Sequence, residues 1–384
     1  MIRSFEQGPI RPPSEARSLL VRVISNCTWN RCTFCSVYKG SASSLRSVDE
    51  VIADVDAMAQ TAALVAGDAT AGAGVPAGGF AALPSDDLPP EARQVALFVG
   101  DGARNVFLQD ADPCAVAPAK LAAIIGHIRQ RFPTVERVTT YGRAATLARR
   151  TPAQLKGLAD AGLTRVHLGL ESGSDEVLAA VCKGCTAAQL VTAGTRVLEA
   201  GMELCFYVMP GLGGRALATA HVRGTAAVLR AVAPHAPAGR PLVVRLRTTA
   251  VVPGTPLAAC ADAGEFDLPD DVEVAREVRD LLVALGDARL DLRSDHALNL
   301  LAELQGSLPA DSGRLLALLD EFLELDADER AEFALGSRLG VYRTLADRRD
   351  EQRRALLRSH VPDVARASAA ELLEAAKQIS ARFL

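Results

Sequence analysis

Three cysteines within nine residues, Cys27, Cys32 and Cys35 of "CTWNRCTFC", are the densest group of soft ligands in the chain. Thiolates hold zinc, or iron in clusters with sulfide. A closed zinc site takes four ligands, but the nearest histidine in sequence is His127 and no second Cys-x-x-Cys pair lies close. Three thiolates with one open position suit a cubane iron–sulfur cluster that leaves one iron uncommitted. Polar residues of other kinds recur after apolar runs. Asp110 and Asp112 stand in "LQDADPC", Tyr141 and Arg143 in "TTYGRA", Glu171 and Ser172 in "GLESGS", and Gly211, Gly213 and Gly214 in "PGLGG". A sixth apolar run carries Arg245 and Arg247, which alternate onto one face.

The elements that must position these residues are legible in the same stretches. Apolar, β-branched runs at 18–25, 105–109, 136–141, 164–170, 202–209 and 241–252 alternate with helical patterns. This predicts six βα units and a parallel sheet, with chemistry collected at the C-terminal ends of the strands. Helix starts are marked by capping boxes at Ser47/Glu50, Thr151/Gln154 and Thr186/Gln189, and Pro152 occupies a favoured first helical position. Gly162 and Gly201 are placed to end helices in the left-handed conformation. The expected fold is α/β, a partial (β/α)6 TIM-like barrel over 18–265, after a lead-in at 1–17. An Ala-, Gly- and Pro-rich stretch predicts a loop insertion at about 61–100. Residues 266–384 read as a helical C-terminal region, in which Ser294 or Asp295 would cap a helix presenting His296 and Asn299 on one face.

Composition bounds the function. Hydrophobic residues are 49%, charged residues 23%, and the net charge is -4, so there is no overall basic field to attract nucleic acid. A polar start and the lack of any apolar run of about 18 residues predict a cytoplasmic protein without a membrane partner. In a reducing compartment a tight cysteine group indicates metal or catalysis more than disulfides. The second pair, Cys182 and Cys185 of "CKGC", reads as two small buried thiols beside a glycine turn. An auxiliary cluster with Cys114 or Cys205, or a redox pair, is the alternative.

"CTWNRCTFC", "DADP", "YGRA", "ADAGLTRVHLGLESGSDEVL" and "YVMPGLGG", at the ends of successive strands, together resemble the radical S-adenosylmethionine (radical SAM) superfamily over about residues 18–260. The last region, with "SDHALNLL" and "GSLPAD", is similar to that of bacterial members of the Fe–S oxidoreductase type. Two departures stand out. Four residues separate Cys27 from Cys32 where three are common, and Gln109-Asp110-Ala111-Asp112 replaces the usual Gly-Gly-Glu.

The resemblance implies a [4Fe-4S] cluster on Cys27, Cys32 and Cys35, with S-adenosylmethionine chelating the fourth iron and cleaved reductively to a 5'-deoxyadenosyl radical. It further implies that Asp110 or Asp112 receives the cofactor's ammonium and that Glu171 and Ser172 meet its ribose. Arg143 and Lys183 would face its carboxylate, and the Phe34 backbone and Gly211 its adenosine. Trp29 would either wall the cluster from water or simply pack the loop. Arg245 and His296 are the expected substrate-side residues, acting on a small molecule, with a flavodoxin- or ferredoxin-type one-electron reductant as partner. RNA or protein modification is the alternative, then a non-enzymatic electron carrier or zinc-binding protein.

Overall fold

The structure, a computed structural model, describes residues 4–70, 90–361 and 367–380. Its strands are β1 (Leu19–Arg22), β2 (Ile24–Ser25), β3 (Ser44–Leu45), β4 (Asn105–Gln109), β5 (Arg137–Gly142), β6 (Leu163–Glu171), β7 (Glu203–Val208), β8 (Leu242–Leu246), β9 (Leu290–Arg293) and β10 (Gly306–Leu308). Eight of them form one sheet in the order β1-β4-β5-β6-β7-β8-β9-β10, while β2 and β3 pair separately. The order follows the chain and helices intervene, which is the winding of a partial (β/α) barrel. The pairings β1–β4, β4–β5, β5–β6, β7–β8 and β8–β9 are parallel, and β9–β10 is antiparallel.

The chain divides into two compact units. The first comprises Met1–Asn30, Val37–Leu168 and Ala193–Leu204. Strands β1 and β4 are apolar on both faces, as parallel strands covered by helices must be: Leu19, Leu20, Val21, Val106, Phe107 and Leu108 are all buried. Burying each such side chain contributes about 1.5–3 kcal/mol. The expected capping box forms at Thr151, and Gly162 ends its helix at φ 111°. The lead-in is tied down by the residue that stands in the altered acidic motif. Gln109 Oε1 accepts the Gly8 N–H at 2.9 Å, and its amide donates to the carbonyls of Gly8 and Ile10. Helices Val48–Thr70 and Pro90–Gly100 occupy both ends of the stretch expected as a loop insertion. The centre of that stretch, 71–89, lies outside the described residues.

The second unit comprises Arg31–Ser36, Gly169–Thr192 and Cys205–Leu384. Its C-terminal region is helical through Asp271–Leu285, Ser312–Glu324, Ala327–Arg338 and Ala369–Ser380. The expected helical region is present, and it also contributes β9 and β10, which extend the sheet beyond the six expected strands. Leu290 and Leu292 are buried in alternation with Asp291 and Arg293, a period of two too short to stand out in the sequence. The expected helix over "SDHALNLL" is absent. Leu298, Asn299, Leu300 and Leu301 are buried consecutively, which one helix face cannot provide. The polar groups compete with helical bonding: Asn299 Oδ1 accepts from Thr248 N–H, its amide donates to Leu246 O, and Ser294 Oγ donates to Leu301 O.

At the free side of β10, Asp311 closes back on the strand. Ser307 N–H donates to Asp311 Oδ2 at 2.8 Å, and Asp311 N–H returns to Ser307 O at 2.9 Å.

Candidate active site

In the first unit the chemistry-bearing residues lie just past β1, β4 and β5. Residues 26–36 contain neither helix nor strand, which leaves the backbone around the thiols able to curve. The two aspartates brace the residues on each side of Cys27. Asp110, wholly buried, accepts from Asn26 N–H at 2.9 Å, Arg22 Nε at 2.8 Å and the Tyr38 hydroxyl at 3.0 Å. Asp112, equally buried, accepts from the Thr28 hydroxyl at 3.2 Å, Thr146 Oγ1 at 2.6 Å and Arg143 N–H at 3.1 Å. Burial pushes the Asp112 carboxyl up to about 6, against the lowering by these donors. Neither carboxylate faces solvent, so the aspartates expected to meet an ammonium group are engaged with the protein's own loop. The Arg143 guanidinium lies 5.1 Å from the Trp29 ring centroid, and its charge is spent partly on that ring.

In the second unit, Cys32 and Cys35 flank a segment in which one residue is bonded through both its N–H and its carbonyl. Thr33 N–H donates to Val181 O and Thr33 O accepts from Leu257 N–H, both at 3.0 Å. Between them Phe34 packs on Val177, Val181, Met209 and Leu212, with the Lys183 ammonium 5.8 Å from its ring centroid. Glu171 and Lys183, read separately from the sequence, form a 2.8 Å ion pair. Burial disfavours the lysine's charge, but Glu171 and the nearby Cys32 thiol raise its pKa overall. Ser172 Oγ lies 2.9 Å from His221 Nδ1. Gly211, at φ 83°, takes a conformation a side chain rarely adopts, and its N–H donates to Glu277 Oε1 at 2.7 Å.

Arg245 pairs with Asp295, and His296 lies close enough to Arg247 and Asp295 to feel both charges. Burial and then Arg247 push His296 down to about 4, so it is neutral at pH 7. These four residues do converge, but through a loop and not a capped helix. His296 Nδ1 accepts Leu298 N–H at 3.3 Å, and Asn299 turns inward. The "CKGC" thiols are not the buried pair expected: Cys182 is exposed at φ 50° and Cys185 is half-buried. No disulfide joins any two cysteines among the described residues. Among the described residues, no three His, Cys, Asp or Glu side chains already stand as a metal-ready group.

His221 and Glu277 were not singled out in the sequence. Glu277 carried a signal, since it falls on the apolar stripe of Val274, Val278 and Leu281. Burial, opposed by the Gly211 N–H, pushes it up to about 7. A carboxyl whose folded pKa is raised contributes stability that is present below about 4.5 and is lost as pH rises through about 7. The stability of Glu277→Gln minus that of the parent should therefore grow by about 3 kcal/mol between pH 4.5 and 8 in chemical denaturation. A flat difference would place the carboxyl in an ordinary aqueous setting.

A sequence model of the Radical SAM superfamily matches residues 21–220, just over half of the chain. The chain belongs to the Radical SAM superfamily. It is a radical SAM enzyme, and the superfamily implies S-adenosylmethionine and a [4Fe-4S] cluster as cofactors. No curated protein matches its sequence. Among solved structures it is similar to HydG, a maturase of the [FeFe]-hydrogenase, with 13% identity, 94% of this chain and 80% of that one covered, and a TM-score of 0.42. The cobalamin-dependent S-adenosylmethionine radical enzyme OxsB gives 13%, 93%, 53% and 0.45. Elp3 of the archaeon Methanocaldococcus infernus gives 14%, 60%, 57% and 0.41. The radical SAM chain described here thus spans little more than half the length of OxsB and Elp3. No helix among its described residues is long and apolar enough to cross a membrane.

Proposed function

We propose that this radical SAM enzyme holds a [4Fe-4S] cluster on Cys27, Cys32 and Cys35 and acts by hydrogen abstraction on a small-molecule substrate. The observation that carries the reading is the loop itself: three partly exposed thiols on backbone free of helix and strand, with Asn26, Thr28 and Thr33 each fixed by buried partners. Soft thiolates in threes, with no fourth protein ligand nearby in sequence, fit an iron–sulfur cube with one open corner. The buried Thr33 hydroxyl, between two of the thiols and without a hydrogen-bond partner among the described residues, also fits a neighbour still to be added. When bound, the cluster and S-adenosylmethionine supply a 5'-deoxyadenosyl radical.

The protein's part is to orient and to exclude water. Lys183 would face a carboxylate beside the cluster, a reading supported by its pairing with Glu171 and its nearness to Cys32. Phe34 offers an apolar wall for the adenosine, and the turns at Gly211 and Ser172, whose N–H and hydroxyl are committed within the protein, flank it. Arg245 and neutral His296 form the substrate side, where the Arg245–Asp295 pair favours a polar molecule over a strongly anionic one. Asp110 and Asp112 serve the loop first, and any contact with the cofactor's ammonium would pass through that arrangement. A cytoplasmic setting and a flavodoxin- or ferredoxin-type donor complete the reading.

Anaerobically reconstituted protein, given S-adenosylmethionine and dithionite, should release 5'-deoxyadenosine and methionine detectable by chromatography. Full cluster loading with no cleavage product would overturn the proposal.

A further inference from the structure

Three polar side chains, one from the turn after β6 and two from helices Gly214–Val232 and Asp271–Leu285, form a buried line in the second unit. Ser172 is fully buried, His221 is 1% exposed and Glu277 is 6% exposed. Ser172 Oγ accepts Ser174 N–H at 3.1 Å and lies 2.9 Å from His221 Nδ1. Across the ring, His221 Nε2 faces Glu277 Oε1 at 3.5 Å, and that same oxygen accepts the Gly211 N–H at 2.7 Å. Nε2 is buried without a hydrogen-bond partner among the described residues, and closing the gap to Glu277 takes about half an ångström.

The directions of these bonds follow from which groups are already committed. At pH 7.5, above the value of about 7 at which it titrates, Glu277 is mostly ionised and its oxygens only accept, so the ring atom facing Oε1 is the donor. Nδ1 is then the acceptor and takes the Ser172 hydroxyl hydrogen, leaving a lone pair of Ser172 for Ser174 N–H. Burying an imidazole and a carboxyl is costly where apolar side chains would pack as well, so their contribution lies in direction. A close backbone contact runs alongside. A Cβ on Gly173 would lie 2.2 Å from Gly224 O, and Gly173 N–H donates to Thr225 Oγ1 at 3.0 Å. The helix Gly214–Val232 is therefore a splint against the turn that follows β6.

We propose that His221 and Glu277 are positioning residues: with the ring held as its Nε2–H tautomer, they lock the Ser172 turn to the Gly211 turn so that both meet the cofactor as one unit. The assignment of those turns to S-adenosylmethionine rests on the function proposed above; the relay itself rests on the geometry.

Two measurements on the full-length protein test it. Imidazole nitrogen spectra of 15N-histidine-labelled parent, with His221 assigned by its loss in His221→Gln, should show a protonated Nε2 and a bare Nδ1 at pH 7.5. The other tautomer, or a mixture, would overturn the relay. Calorimetric titration of cluster-loaded protein with S-adenosylmethionine forms the second arm. Ser172→Ala and Glu277→Met should each weaken binding about tenfold, and the double variant no more than about twofold beyond the weaker single. Glu277→Gln, which keeps the acceptor, should stay within about threefold of the parent. Fully additive losses would mean that Glu277 does not act through Ser172. A loaded parent that binds no S-adenosylmethionine would sink the cofactor reading, and the nitrogen spectra would still decide the relay.

Discussion

Replacing Cys27, Cys32 and Cys35 together by alanine should abolish iron binding, from about four irons per reconstituted chain to background. Asn26, Thr28 and Thr33 are held through backbone and hydroxyl groups, and among the described residues Cys27 Sγ accepts only the Asn30 N–H, a long contact of 3.4 Å. The triple variant should therefore fold, with a far-ultraviolet dichroism spectrum matching the parent's. Iron and sulfide analysis after anaerobic reconstitution gives the answer. Loss at Cys182 and Cys185 instead, with the triplet dispensable, would move the centre to the exposed "CKGC" turn.

The second large effect is on stability. Asp110→Ala removes the acceptor shared by Arg22, Asn26 and Tyr38, and strands part of the Arg22 charge in a site where it is only 14% exposed. Breaking a buried pair on one side costs about 3–5 kcal/mol. Urea unfolding should show a stability loss of that size, read as a lowered midpoint at an unchanged slope, and the double variant Arg22→Met/Asp110→Leu should recover much of it. A cost below about 1 kcal/mol for Asp110→Ala would show that Asp110 is peripheral to the fold.

The winding was legible because β1, β4 and β7 carry consecutive buried apolar residues, while β5, β6 and β8 are marked by Val and Thr between recognisable helical stretches. The cysteine triplet was legible because its spacing is local. What escaped notice depends on partners far apart in sequence. Asp110 and Asp112 could be seen as acidic, but that they grip residues 84 positions earlier, Asn26 and Thr28, follows only from the parallel neighbours β1 and β4. Glu171 and Lys183 looked like two separate cofactor ligands, and only the folded turn makes them a pair. The stretch around His296 misled because its leucine spacing suits a helix, while Asn299 and Ser294 bind backbone carbonyls that a helix would leave out of reach. Cys182 was read as buried from its size and polarity, yet a left-handed backbone at that position turns it outward.

The short strand β10 bears on how the protein behaves when crowded with copies of itself. An exposed strand edge is a template on which another chain can add by hydrogen bonding. Here the pair of backbone groups that Ser307 would present outward is already answered by Asp311, and Pro309 brings no N–H to extend the ladder. An incoming strand would have to displace a carboxylate to gain a foothold only three residues long. At this edge, polymerisation through sheet addition is blocked within the chain itself, at the level of one aspartate.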